Sequence, residues 1–226
     1  LAITQGYISD TIDDEYLFDQ ALHEQVMLFQ LRNGLTADGV VGRATIEAMN
    51  IPVADRIATI EANLERWRWL SDDLGERYIE VNIANFDLQV IEKDDIVFRT
   101  EVIVGRTLRE TPVFSSTMTY LVLNPDWTVP PTILNDDIIP SVINNPLDLA
   151  ACIMKDSTAW TPEQIKNVID QGEERTVSLA KPIPVHIVYL TAWASDDGLV
   201  YFRKDIYDRD QPLLAALKQG PPGIDQ

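Results

Sequence analysis

Leu123-Asn124-Pro125-Asp126-Trp127-Thr128-Val129-Pro130-Pro131 separates two kinds of pattern in this chain. Three prolines in so short a run fix φ and remove backbone donors, so neither a regular helix nor a central strand fits. Trp127 stands in the middle, a large amphipathic group on a stiff backbone. Two readings are open for it: a plug in the core, or the wall of a binding cleft. Upstream the residues alternate with period two. Downstream Ile133, Leu134, Ile138 and Ile139 recur at helical spacing until Pro140 bends or ends the helix.

The alternating region begins at Tyr78. Ile79, Val81 and Ile83 interleave with Tyr78, Glu80 and Asn82, the pattern of a half-buried strand. Residues 88–91, a hairpin turn at Lys93-Asp94-Asp95, a longer strand over 96–104 and a further strand over 118–123 follow. Gly105-Arg106-Thr107 interrupts, and Thr111-Pro112-Val113 opens a loop. Beyond the proline-rich stretch, residues 147–154 read as helix. Thr161-Pro162-Glu163-Gln164 has the helix-start signature, and that helix ends near Gly172. Residues 177–179 and 183–190 read as strands, Asp196-Asp197-Gly198 as a hairpin turn with 199–203 as partner strand, and 213–217 as a short helix. Hairpins build this half, and parallel βαβ repeats are absent.

The first 75 residues differ. Phe18, Leu22, Val26 and Phe29 recur at helical spacing, Asp13 and Asp14 stand where a helix start wants acceptors, and Asn33-Gly34 ends the helix. A glycine-punctuated loop and a short helix over 45–49 follow, and Pro52 closes a compact module. Ile57, Ile60, Leu64 and Trp67 form an apolar stripe, so residues 54–70 read as an amphipathic helix with Glu61, Glu65, Arg66 and Arg68 toward water. The fold class is α+β: a small helical module over 1–52, a connecting helix over 53–75, and a mostly antiparallel, sandwich-like domain with flanking helices over 76–226.

Composition narrows function. The 226 residues are 46% hydrophobic and 24% charged, enough for a real core. A net charge of −18 with pI ≈ 4.3 excludes phosphate-backbone binding, so nucleic acid is set aside as a partner. Cys152 is the lone cysteine and His23 and His186 the two histidines, so no disulfide forms within the chain and no metal-ligand spacing exists. No cofactor is implied. The pairs Asp72-Asp73, Asp94-Asp95 and Asp136-Asp137 point their carboxylates apart and mark turns or caps rather than glycosidase chemistry.

Val26-x-x-Phe29-Gln30-x-Arg32-x-Gly34-Leu35, followed by Ala37-Asp38-Gly39-Val40-Val41-Gly42 and Thr45, resembles the helical peptidoglycan-binding module of cell-wall enzymes. Read individually, Val26, Phe29, Leu35 and Val40 suit a core and Asp38 a loop cap. A second set resembles the catalytic domain of the L,D-transpeptidases, in their large Gram-negative branch. It comprises Arg66-Trp67-Arg68-Trp69-Leu70, Tyr78-Ile79-x-Val81-Asn82-Ile83, Val102-x-Val104-Gly105-Arg106, Thr111-Pro112-Val113-Phe114-Ser115, the opening stretch, and Pro184-Val185-His186-Ile187-Val188-Tyr189-Leu190-Thr191-Ala192-Trp193. The resemblance implies that peptidoglycan stem peptides and glycan are the partners, with a cysteine acyl-enzyme, release of D-alanine and diaminopimelate–diaminopimelate cross-links. It further implies inhibition by carbapenem-type β-lactams, and a periplasmic protein held at the inner membrane by an anchor upstream of Leu1.

The family's nucleophile motif, Ser/His-x-Gly-Cys-Ile/Val-Arg, is missing. Cys152 lies in Leu149-Ala150-Ala151-Cys152-Ile153-Met154, which reads as the buried face of a helix, so it is a structural cysteine, and neither histidine is assigned as a base. Pro140-Ser141-Val142-Ile143-Asn144-Asn145 runs directly into Pro146-Leu147-Asp148-Leu149-Ala150, where the family places a lid and the cysteine motif between. The first reading is that the protein possesses a further segment at about 141–146. The rival is a true deletion that leaves a catalytically inactive peptidoglycan-binding protein. No catalytic residue is therefore assigned; Arg106, Asn124, Trp127 and Pro130 are the candidate substrate-binding residues, with a rigid loop packed on the sheet as the alternative for all four.

Overall fold

The structure, a computed structural model, describes residues 17–126, 146–156, 160–195 and 198–219. They fall into two compact units, Leu1–Trp69 with Leu190–Gln226, and Leu70–Tyr189. No helix among the described residues is long and apolar enough to cross a membrane.

In the first unit α1 (Gln20–Arg32) starts at Asp19, whose side chain accepts from the Leu22 amide at 2.8 Å. The cap thus lies later than Asp13 and Asp14, which are outside the described residues. Val26 and Phe29 are buried, but Phe18 is 53% and Val40 65% exposed, because the core of this module forms around a polar residue. Gln30, 1% exposed, donates to Asp38 Oδ1, the Val40 carbonyl and Thr45 Oγ1, and accepts from the Gly39 amide. A single side chain thereby closes the loop onto α1 and α2 (Arg43–Met49). Asp38 caps the loop at the Val40 amide, and that hydrogen bond holds its carboxyl below the ordinary aspartate value. At Gly39 (φ +73°) a Cβ would stand 2.0 Å from His23 Cε1, so only glycine fits.

The helix α3 (Val53–Trp67) reverses the expected orientation. Ala62, Asn63 and Arg66 are buried, whereas Ile57, Leu64 and Trp67 are exposed. Arg66 leaves the wet face because it has a carboxylate to meet: it lies 2.6 Å from Asp210 at the start of α6 (Asp210–Gln219). Thr191 donates to Asp210 and accepts from Asn63 and Arg66. Every member of this group is at most 7% exposed. The Arg-Trp-Arg-Trp and Thr-Ala-Trp motifs are thus joined through a buried polar network. The short ribbon β6 (Ala192–Ala194) and β7 (Val200–Phe202) completes the unit.

The second unit is a five-stranded sheet in the order β3-β2-β1-β5-β4. Its strands are β1 (Arg77–Asn82), β2 (Asp87–Glu92), β3 (Asp95–Glu101), β4 (Phe114–Leu123) and β5 (Arg175–Val188). All neighbours are antiparallel except β1 and β5, which pair in parallel with Ile79 opposite Val185. Lys93 and Asp94, both at positive φ, make the two-residue turn between β2 and β3. Where two strands were expected near 177–190, β5 runs unbroken through Pro182 and Pro184. The pairing with β4 shifts register between Met118 and Tyr120, opposite Ile183 and Ser178. Pro182 falls inside that irregularity, where no ladder donor is required of it.

Helices α4 (Pro146–Ile153) and α5 (Pro162–Gln171) cover one face of the sheet. Thr161 and Gln164 form the expected capping box, and Gly172 (φ +70°) ends α5. Ile79, Val90, Val177 and Ile183 from the sheet meet Ala150, Ile153, Ile165 and Val168 from the helices, and Cys152 packs half-buried against this core.

Candidate functional site

The face of the sheet away from α4 and α5 is polar. Pairing registers place Ser115, His186, Glu80, Gln89 and Arg99 in one row across β4, β5, β1, β2 and β3. Successive residues of a strand alternate faces, so burying Ile79 sends Tyr78 and Glu80 to this other side. Ser115 Oγ and His186 Nδ1 share a hydrogen bond of 2.8 Å, with the serine exposed and the histidine 5% exposed. The Tyr78 ring meets the imidazole edge-on at 5.7 Å between centroids. Nε2 of His186 is buried and makes no hydrogen bond of standard geometry among the described residues.

Two groups of the row titrate away from their ordinary values. Burial lowers the His186 pKa, opposed by the Leu74 carbonyl, so the neutral ring is favoured. Burial, and then the charge of Asp87, push the Glu80 carboxyl up to about 7. Asp87 itself is 4% exposed and is held by Arg99 at 2.8 Å and by Gln89 Nε2 at 2.8 Å, while its Oδ1 has no hydrogen-bond partner among the described residues. Such a row can hold or give up a proton near neutral pH, with the Ser115 hydroxyl as its solvent-facing end. None of its members was a candidate from the sequence. The period-two alternation around Glu80 carried the signal, but the juxtaposition of Ser115, Glu80 and His186 depends on strand pairings far apart in sequence.

Of the four substrate-binding candidates, two are described. Arg106 lies in a tight loop: its carbonyl accepts from the Arg109 amide at 2.7 Å, and Thr111 Oγ1 accepts from the Gly105 amide at 2.8 Å. A Cβ on Gly105 would come 1.9 Å from the Arg109 carbonyl oxygen, which explains the glycine before Arg106 and the threonine of Thr-Pro-Val-Phe. Asn124 stands at φ +47° and donates to the carbonyls of Val168 and Glu173, while the Asp126 amide donates to Glu174. The start of the proline-rich stretch is therefore pinned to the end of α5. Trp127 and Pro130 lie outside the described residues, as does the junction at 141–146.

Cys152 has no described histidine partner: His186 is engaged with Ser115 and Tyr78, and His23 packs against Gly39. Its carbonyl accepts from Arg77 at the end of α4, and its side chain packs with the core. Among the described residues no group of three or more His, Cys, Asp or Glu could hold a metal ion.

Comparison with known proteins gives three findings. Residues 76–178 match the family described as "L,D-transpeptidase catalytic domain", and residues 3–49 match the "Putative peptidoglycan binding domain" family. A Haemophilus influenzae protein named "Putative L,D-transpeptidase" is 30% identical over 128 residues, covering 54% of this chain and 26% of that protein. The chain spans about a quarter of that relative's length. In order along the sequence, then, the chain carries a stretch similar to a peptidoglycan-binding domain and a stretch similar to the catalytic domain of L,D-transpeptidases.

Proposed function

We propose that the chain is the frame of a peptidoglycan L,D-transpeptidase whose nucleophilic cysteine belongs to a further segment between residues 141 and 146. The observation that carries this reading is the state of β4. It is the edge strand of the sheet, ten residues long, with Phe114 47% and Tyr120 56% exposed and Ser115, Ser116 and Thr117 exposed between them. No described strand pairs with its outer side. Soluble proteins cover, charge or shorten such edges. A segment inserted between β4 and α4 would be placed to cover this one.

In the proposed reaction a cysteine thiolate attacks the carbonyl between diaminopimelate and the terminal D-alanine of a stem peptide. The C–S bond forms, the C–N bond breaks, and D-alanine leaves with a proton from a neighbouring histidine. The side-chain amine of a second diaminopimelate then attacks the thioester and gives its proton to that histidine; the new C–N bond forms, the C–S bond breaks and the thiolate returns. Arg106 would meet a substrate carboxylate, Trp127 and Pro130 would wall the cleft, and Asn124 would hold that wall in position. The peptidoglycan-binding stretch, a periplasmic location with an inner-membrane anchor, and carbapenem acylation of the cysteine belong to the same proposal.

One observation favours the second reading, a wall-binding protein without chemistry: Cys152 is the lone cysteine of the 226 residues and is packed against the core. Peptide mapping by mass spectrometry across residues 140–150 of the protein purified from its source, followed by incubation with a disaccharide-tetrapeptide, separates the two. The transpeptidase reading expects a peptide carrying additional residues between Ser141 and Pro146, D-alanine release and a cross-linked dimer. A peptide in which Ser141-Val142-Ile143-Asn144-Asn145 runs directly into Pro146, with neither product formed, overturns it.

A further inference from the structure

A cleft of about 310 Å³ opens in the second unit where β1 begins, lined among others by Glu76, Arg77, Lys93, Lys181 and the rigid Pro182 and Pro184. Its charges sort into two groups. Arg77 pairs with Asp156 at 2.9 Å and donates to the carbonyls of Cys152 and Ile153, and Glu92 pairs with Lys155. These four ions neutralise one another. Glu76, Lys93 and Lys181 remain, and none of them has an ion pair among the described residues. The backbone brings them together. The Lys93 amide donates to the Glu76 carbonyl at 2.8 Å, which fixes the β2–β3 turn beside the start of β1. Lys181 comes from β5, the neighbour of β1 on its other side.

We infer that this cleft binds an amino dicarboxylate, its two carboxylates on Lys93 and Lys181 and its ammonium group on Glu76. In a chain of net charge −18 an anionic ligand is repelled almost everywhere, so two ammonium groups lining one cleft, neither with an ion pair among the described residues, mark a place where one can be held. The single carboxylate between them adds selectivity, since a ligand lacking the amine leaves Glu76 unmatched. The volume suits a unit of one or two amino acids. Under the function proposed above, on which this identification of the source rests, the γ-D-glutamyl-diaminopimelate unit of a donor stem has the required set. It carries the free α-carboxylate of the glutamate together with the side-chain carboxylate and side-chain ammonium of the diaminopimelate. That ammonium takes no part in the donor half-reaction and is available for recognition.

The test is a titration of the 226-residue chain, followed by ¹H–¹⁵N NMR and calorimetry, with γ-D-glutamyl-meso-diaminopimelate, D-glutamate, glutarate and cadaverine as probes. Expected are shifts at residues 75–77, 93 and 181–184 with the dipeptide, weaker binding of glutarate, and none of cadaverine. Lys93→Met and Lys181→Met should each weaken the dipeptide about tenfold, the loss of one charge-assisted contact. Glu76→Gln should weaken the dipeptide and tighten glutarate, whose carboxylates no longer meet an unmatched negative charge. D-Glutamate binding as tightly as the dipeptide would support the site while making a free amino dicarboxylate its ligand. Absence of binding, or affinities that the lysine substitutions leave unchanged, would overturn the inference. None of these readings depends on transpeptidation, so the proposed function stands or falls separately.

Discussion

Arg66 sits on the side of α3 that hydrophobic spacing assigns to water, yet it is 6% exposed and bonded to Asp210 and Thr191. Burial pushes the Asp210 carboxyl up despite the guanidinium beside it, so desolvation outweighs the pair's attraction. Removing one partner strands the other: Arg66→Ala should destabilise by about 3–5 kcal/mol in urea unfolding. Replacing both, as Arg66→Met with Asp210→Leu, should recover most of that loss. Glu80 gives a prediction in pH. Its folded carboxyl keeps a proton up to about pH 7, while the unfolded chain releases it near the ordinary value of 4.5. The folded state therefore binds more protons across that window, and stability falls as pH rises through it. Glu80→Gln should stabilise at pH 8 by on the order of 1–3 kcal/mol and little at pH 4, measured by denaturant titration at both. His186 acts with the opposite sign, its depressed pKa removing stability as pH falls below the ordinary histidine range.

Among elements, the ones legible in the sequence were those whose signal is local. The Thr161–Gln164 capping box, the Lys93-Asp94 turn and the alternation from Tyr78 all appear where their residues place them. The orientation of α3 did not, because its partners Thr191 and Asp210 lie far along the chain. Nor did the polar row, which exists only once β1, β4 and β5 are side by side. Asn124 could be singled out as important, but its use of both amide hydrogens on Val168 and Glu173 carbonyls required the end of α5 to be in place. Two predictions belong at this scale. Gly39→Ala drives a methyl into His23 at a positive φ and should destabilise the first module by about 1–3 kcal/mol, seen as a lower midpoint in thermal unfolding. The exposed β4 edge should make the 226-residue chain self-associate with rising concentration, and Tyr120→Lys should suppress this in sedimentation velocity.

At the scale of the molecule, a net charge of −18 on 226 residues sets acidic groups against one another in the compact state. Raising ionic strength from 10 to 150 mM shortens the screening length from about 30 to about 8 Å. Stability should rise by roughly 1 kcal/mol, about 2–4 °C in Tm for a chain of this size, in a calorimetric salt series. The same scale governs assembly in time. The unit that begins with the N-terminal helices is completed only by residues from Leu190 onward, and the bond from Arg66 to Thr191 spans 125 residues. On a ribosome the sheet of residues 70–189 is therefore synthesised whole before Arg66 can meet Thr191 or Asp210. A chain cut after residue 189 would keep the strands of the sheet and an α3 whose guanidinium has neither Thr191 nor Asp210 to meet, so the segment from Leu190 onward acts as the clasp that turns that charge inward.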